Sequence, residues 1–108
     1  MTGQFNVAVA AFQARDADGK KLRSDDGYLL GNYLRGEIDG QFKAAQETLK
    51  LQPQVWGPDQ VREVKGENPE ERRADAAALA ERIRAHVLIY GVIVTDEKDQ
   101  SHVIPEFF

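Results

Sequence analysis

The feature that most constrains this chain is a nearly continuous apolar run, Val87 to Val94, which only Gly91 interrupts. The run is rich in β-branched and aromatic residues and is too short to cross a membrane as a helix. A strand of this kind is buried on both faces, and such strands lie at the centre of largely parallel sheets that helices cover. The sequence therefore predicts an α/β domain with a central strand within Ala85 to Thr95.

The chain before this run predicts two further strands, each followed by a helix. Phe5 to Phe12 is largely apolar on both alternating faces, and its small residues Ala8 and Ala10 would let a helix approach closely. A polar loop is expected from Arg15 to Ser24, and a short second strand at Gln54 to Trp56. We expect the first three strands to run parallel, because a helix connects each strand to the next.

Two amphipathic helices are predicted between these strands. The first opens at Ser24 to Asp26 and continues for about six turns. The second begins with Asn68 as its N-cap, has Pro69 at its first position, and has Glu71 placed to close a capping box. It ends near Arg84. The apolar stripe of the first helix consists of Leu30, Leu34, Ile38, Phe42, Ala45 and Leu49.

The first helix also contains four glycines, which is unusual for a helix interior. They form two pairs at a spacing of four residues, Gly27 with Gly31 and Gly36 with Gly40. Two interpretations follow: close packing of this helix on the sheet, or contact with a helix of a partner.

A turn at Asp96 to Gln100 and a last strand from His102 to Phe108 follow the central strand. Neither face of this last strand is well charged, and an exposed apolar edge is a template for pairing with another chain. Pro105 opposes such pairing because it lacks an amide donor, although edges are where proline is tolerated. The sequence predicts protein partners and, through the edge from His102 to Phe108, a homodimer or a crystal pairing. In a longer protein we expect a further strand or helix to fill the same place.

The composition limits the chemistry that is available. The 108 residues suffice for one domain with its own core, and a formal net charge of −4 argues against a nucleic-acid partner. The chain has no cysteine, and its histidines, His86 and His102, do not have the spacing of a metal site. No nucleophile elbow and no phosphate-binding glycine motif occurs. We therefore expect a non-enzymatic protein with no cofactor, no metal and no direct membrane insertion.

One candidate ligand site follows from the predicted fold. Ligands of open α/β sheets bind beyond the carboxyl ends of the parallel strands. Arg15, Trp56 and Asp59 follow predicted strands in this chain. If the domain binds a small molecule, these three residues are the candidates.

A sequence pattern is shared by the first predicted strand and by the segment that leads into the central strand. The apolar and small residues that carry it are Val7, Ala8, Val9 and Phe12 at the start, and Leu79, Ala80, Ala85, Val87, Ile89, Tyr90 and Gly91 later. In this pattern the chain resembles the N-terminal domain of TolB and the related FlgO and CsgG-type envelope domains. It is also similar to α/β domains that accompany tetratricopeptide arrays in large bacterial proteins. His86 departs from the pattern, which usually has Asp there.

The resemblance implies an anticodon-binding-domain-like fold, β-α-β-α-β-β, with strand order 2-1-3-4 and a possible fifth strand. It implies interaction or assembly work without catalysis, and it transfers no site residues. We expect residues 1–108 to be one domain excised from a longer multidomain protein, in the cytoplasm or the cell envelope. The alternative function is a small-ligand sensor that uses the crevice at the strand ends.

Overall fold

The computed structural model describes residues 1–50 and 52–108, apart from the side chains of Glu47 and Leu49. Leu49, the last position of the predicted apolar stripe, is therefore outside the described side chains. The elements are, in order, β1 (Phe5–Val9), β2 (Gln13–Asp16), α1 (Asp26–Leu49), β3 (Pro53–Trp56), α2 (Pro58–Val61), α3 (Pro69–Ile83), β4 (Val87–Thr95) and β5 (Ser101–Phe107). The predicted α/β class is confirmed.

β4 lies at the centre of the sheet and has neighbours along both edges. On one edge it pairs in parallel with β1, where Val7 is level with Val87, and further along with β2, where Gln13 is level with Val92. On the other edge it pairs antiparallel with β5, and β1 carries the parallel strand β3 on its far side. From one side of the sheet to the other, the strands are β3, then β1 with β2 in line beyond it, then β4, and then β5. This agrees with the order that the resemblance implied.

The predicted first strand, Phe5 to Phe12, is in fact interrupted. The amide of Ala11 donates to the carbonyl of Arg62 (2.8 Å), and the amide of Phe12 donates to the carbonyl of Gly27 (3.1 Å). Two successive amides are therefore directed away from β4, and regular pairing resumes only in β2. Apolar alternation continues through the break, which is why the sequence predicted a single strand.

Two further parts of the chain differ from the predictions. The loop expected from Arg15 to Ser24 begins only after Asp16, because β2 continues the pairing with β4. The helix α2 was not predicted, and its residue Val61 and the following Val64 are both buried in the core. This connection is short and polar in sequence, so neither the helical nor the strand periodicity of apolar residues revealed that Val61 and Val64 are buried.

The two long helices cover opposite faces of the sheet. α3 packs on the face that carries Ala8, Ala10, Leu88 and Tyr90, and these residues form one buried cluster with the α3 residues Ala76, Leu79 and Ala80. α1 lies on the other face, where the ring of Phe42 meets the ring of Phe5 edge-on at 5.9 Å. The small side chains of Ala8 and Ala10 leave room for the alanine-rich side of α3, as predicted.

The glycines of α1 divide into two classes. A Cβ at Gly27 would overlap the carbonyl oxygen of Phe12, and one at Gly31 would lie 2.7 Å from the carbonyl oxygen of Ala10. Gly36 and Gly40 have open space beside them. Close packing therefore accounts for the first pair, and contact of the second pair with a partner helix stays a prediction.

Asn68 caps α3 as expected. Its side-chain oxygen accepts a hydrogen bond from the amide of Glu71 at 2.8 Å. The carboxylate of Glu71 accepts from the side-chain amide of Asn68 at 3.3 Å, so the return bond of a capping box goes to the side chain and not to the backbone.

Gly91, the gap in the apolar run, is required by its neighbours. Its φ is 153°, and a Cβ there would overlap the carbonyl oxygen of Ile104 and lie 2.8 Å from a ring carbon of Phe12. The missing side chain lets the Phe12 ring pack against β4, close to the point where β1 gives way to β2.

We expect Gly91→Ala to destabilise the protein by about 2 kcal/mol or more, since overpacking costs about 1–3 kcal/mol and the positive φ adds strain. Gly36→Ala is the matched control: it lies in an exposed helix interior and should stabilise by about 1 kcal/mol. Urea denaturation of both variants measures the difference. If Gly91→Ala proved neutral, the close contact at β4 would be wrong.

Candidate functional site

Among the described residues, β5 and Phe108 carry four of the seven exposed large hydrophobic side chains. The position of this strand is set by the turn before it. One carboxylate oxygen of Asp96 accepts hydrogen bonds from the amides of Lys98 (2.8 Å) and Gln100 (3.0 Å). The hydroxyl groups of Thr95 and Ser101 lie 3.1 Å apart across the start of the hairpin. The turn therefore fixes which residues of β5 face β4.

The pairing with β4 leaves every second backbone group of β5 facing outward. Phe108 exchanges both of its backbone hydrogen bonds with Leu88, at 2.8 and 2.9 Å. Because such pairs alternate along an antiparallel ladder, the even-numbered residues of β5 bond to β4 and the odd-numbered residues point away. The outward groups belong to Ser101, Val103, Pro105 and Phe107.

Pro105 thus occupies an outward position, where its missing amide costs the ladder nothing. Within the described part of the chain, β5 pairs with β4 alone, so the other outward groups have no backbone partner. The prediction that the last strand is a sheet edge is confirmed.

Large apolar side chains flank this edge on both faces of the sheet. Val103 and Phe107, on the α1 face, are 50% and 59% exposed. Ile104 and Phe108, on the α3 face, are 49% and 42% exposed. Exposed apolar groups beside an open strand edge are typical of surfaces that bind another strand.

One buried ion pair fastens β5 to α3. The guanidinium of Arg72 donates two hydrogen bonds to one carboxylate oxygen of Glu106, at 2.9 and 2.6 Å, and the two side chains are only 8% and 16% exposed. The guanidinium of Arg73 lies over the ring of Phe108, 5.4 Å from its centroid. Burial, reinforced by the charge of Glu106, raises the pKa of Tyr90 beneath this pair.

A hollow of about 330 Å³ opens between the first turns of α3 and β5. Tyr90 and Glu106 line it, together with Pro69, Arg73, Pro105 and Phe107. Its lining combines apolar rings with one anion and one cation, which suits a side chain that is part apolar and part charged.

The structure places Arg15, the first candidate ligand residue, in a buried network. Its guanidinium donates to the side chain of Gln13 (2.8 Å), to the carbonyls of Gly19 (2.7 Å) and Gly66 (3.3 Å), and to the carboxylate of Glu67 (2.8 Å). These bonds tie β2 to the segment before α3. Arg15 therefore holds together two parts of the fold.

Trp56 is far from Arg15. Arg15 is level with Val94 on β4, whereas Trp56 is level with Ala8 and, through it, with Leu88. At the rise of a strand this separates them by about 20 Å along the sheet. Because β2 extends the first strand beyond its break, the carboxyl ends of the parallel strands do not meet.

Trp56 packs against the core cluster on the α3 face, and Asp59 is exposed in α2 just after it. A hollow of about 380 Å³ does lie at the carboxyl ends of β2 and β4. Its lining is Ala17, Asp96, Glu97, Lys98 and Gln100, without any of the three candidates.

The histidines have separate surroundings. The ring nitrogen Nδ1 of His86 accepts a hydrogen bond from the amide of Asn6 at 2.8 Å, and the ring stacks on Phe5. His102 is exposed on β5, 3.6 Å from the carboxylate of Asp96. Within residues 1–50 and 52–108, no three His, Cys, Asp or Glu side chains are grouped so that they could hold a metal ion.

Among the described helices, none combines the length and the apolar content that a membrane crossing needs. Comparison of the chain with models of known protein families, with curated proteins and with solved structures gave no match. The resemblance to the TolB-like envelope domains therefore stays a prediction.

Sequence reasoning missed the pair of Arg72 and Glu106. Arg72 lies in the charged run Glu70 to Asp75, which is typical of a solvent-exposed helix face, and the two residues are 34 positions apart. The one available signal was the acidic residue between apolar neighbours in the last strand, which needs a cation once its face is covered.

We expect Arg72→Ala to destabilise the protein by about 3–5 kcal/mol, because it leaves the carboxylate of Glu106 buried without a partner. Arg73→Ala, one position along the same helix, should cost about 0.5–1 kcal/mol. Replacing both members of the pair, Arg72→Met with Glu106→Leu, should be nearly neutral. Urea denaturation of these variants would contradict the assignment if Arg72→Ala and Arg73→Ala cost the same.

The turn before β5 should weaken in acid. The hydrogen bonds from the amides of Gln100 and Lys98 hold the pKa of Asp96 below its ordinary value of 3.8. A lowered pKa means that the turn is fully stabilised above pH 3.8 and loses this contribution as the pH falls through the pKa of the folded state. We expect both amide resonances to move together with the Asp96 carboxyl in an NMR titration. In Asp96→Asn, which does not titrate, they should stay in place.

Proposed function

We propose that this chain is a non-enzymatic protein-interaction or assembly module that takes a strand of a partner protein onto the outer edge of β5. The observation that carries the proposal is the combination of outward amides on Ser101, Val103 and Phe107 with exposed apolar side chains on both faces beside them. The amides supply main-chain hydrogen bonds for an added strand, and the side chains supply the apolar area that such a strand would cover.

The rigidity of the edge supports the same proposal. The Asp96 turn fixes one end of β5, and the pair of Arg72 and Glu106 fixes the other to α3. An edge that is already in strand geometry loses little conformational entropy when a second strand pairs with it.

The resemblance to TolB-like and tetratricopeptide-associated domains agrees with assembly work in a larger bacterial protein. The alternative, a small-ligand sensor at the strand ends, draws less support. The bonds of Arg15 are made within the fold, and Trp56 lies about 20 Å away along the sheet.

A generic strand probe tests the proposal. In the monomeric chain, we expect a short synthetic peptide of alternating valine and threonine to slow hydrogen exchange at the amides of Ser101, Val103 and Phe107. The amides of Ile104 and Glu106, which already bond to β4, should change little. Exchange measured by NMR with and without the peptide separates the two groups.

The control for this experiment is Val103→Pro, which removes one outward donor and leaves the ladder with β4 intact. Peptide binding should weaken in this variant without loss of the folded spectrum. If the outward amides of the monomeric chain exchanged equally fast with and without peptide, β5 would not be a docking edge.

A further inference from the structure

We infer that the strand taken onto β5 is β5 of a second copy of this chain, antiparallel to the first and related to it by a two-fold axis at Ile104. The inference rests on the proposed function and names its partner. It follows from the positions of the outward backbone groups, from the side chains that the pairing would bring together, and from the place of Pro105.

Pro105 selects the register. The outward donors of β5 are the amides of Ser101, Val103 and Phe107, and all three need an acceptor on the opposite strand. With the axis at Ile104, Ser101 of each copy pairs with Phe107 of the other, and the amide of Val103 donates to the carbonyl of Pro105. Every outward donor is then satisfied, and only the carbonyl of Val103 loses a donor.

Other two-fold registers satisfy fewer groups. If the axis moved to Pro105, the two prolines would face each other without a hydrogen bond and the amide of Ser101 would extend beyond the opposite strand. If it moved to Val103, the amide of Phe107 would have no partner in β5. The axis at Ile104 is also the midpoint of β5, so the whole strand overlaps.

The same register makes the side chains complementary. On the α3 face, Ile104 of one copy faces Ile104 of the other in a pair without mutual hydrogen bonds, the kind in which side chains approach most closely. His102 of each copy then faces Glu106 of the other, so that an imidazole faces a carboxylate. The hollow beside Glu106 and Tyr90 lies over this face and offers room for the ring.

On the α1 face the pairing covers Val103 and Phe107, the two most exposed large apolar side chains of the edge. Phe107 of each copy lies across from Ser101, which is small enough to let the ring fold over the opposite strand. Val103 lies across from Pro105, an apolar pair. Pairing of this kind joins the two sheets into one and removes the open edge from both copies.

The test uses the self-facing position. We expect the full chain to sediment as a dimer, and Ile104→Lys and Ile104→Glu each to weaken the dimer about tenfold or more, because each places like charges directly opposite one another. An equal mixture of the two variants should restore a heterodimer, since lysine then faces glutamate. Leu29→Lys, at an exposed apolar site on α1, is the control and should leave the dimer unchanged.

A cross-link checks the register without a change of charge. The chain has no cysteine. Ile104→Cys should therefore form a disulfide with its own copy on mild oxidation, since the two Cα atoms of such a pair lie about 4.5 Å apart. Phe107→Cys, at a more exposed position that faces Ser101, should remain a thiol. Near-ultraviolet circular dichroism confirms that each variant is folded.

The outcomes are distinct. A monomeric chain whose outward amides are still protected by the valine–threonine peptide would overturn the second copy as partner and leave the proposed function standing. A monomer that also ignores the peptide would overturn both. A dimer that survives Ile104→Lys, or that cross-links through Phe107→Cys and not through Ile104→Cys, would place the interface or the register elsewhere and overturn the inference.

Discussion

Every other element of this protein depends on the hydrogen bonding of β4 along both of its edges. One edge is shared between β1 and β2, and the other is taken by β5. A strand that is bonded on both sides and covered on both faces must be apolar throughout, and its run of Val, Ile, Leu and Tyr meets that need. The exception, Gly91, is where the Phe12 ring packs against the strand. The apolar run of β4 is therefore interrupted only at Gly91, which lies beside the break between β1 and β2.

The layers on either side are set by small residues. Ala8 and Ala10 on the sheet and Ala76 and Ala80 on α3 belong to one buried cluster, and all four are almost completely buried. On the opposite face, α1 approaches the backbone of Ala10 and Phe12 through glycine. The larger residues Leu79, Leu88 and Tyr90 complete the cluster on the α3 side. Small residues therefore mark the places where each helix approaches the sheet.

Much of this architecture was predictable, because burial on both faces of a strand and capping of a helix leave local patterns. The central strand, the Asn68 cap and the edge position of the last strand are of this kind. The break after Val9 was not predictable, since it depends on two amides bonding to distant carbonyls. Arg15 shows a related ambiguity: a charged residue near a strand end has the same sequence signature whether it contacts a ligand or other parts of the fold. Pro105 alone could have predicted which alternate residues of β5 have backbone groups that face away from β4, because proline in a strand favours positions whose amide is not needed for pairing.

The uneven burial of β5 has a consequence for how the fold opens. From Ser101 to Pro105 its residues are exposed, whereas Glu106 is held against α3 by Arg72. The exposed part is therefore kept on β4 by the ladder and by the Asp96 turn, with little apolar burial to reinforce them. Regions held mainly by hydrogen bonds at the surface open more readily than the whole domain unfolds. Local opening should therefore begin between the Asp96 turn and Pro105, while the pair of Arg72 and Glu106 keeps the end of the strand in place.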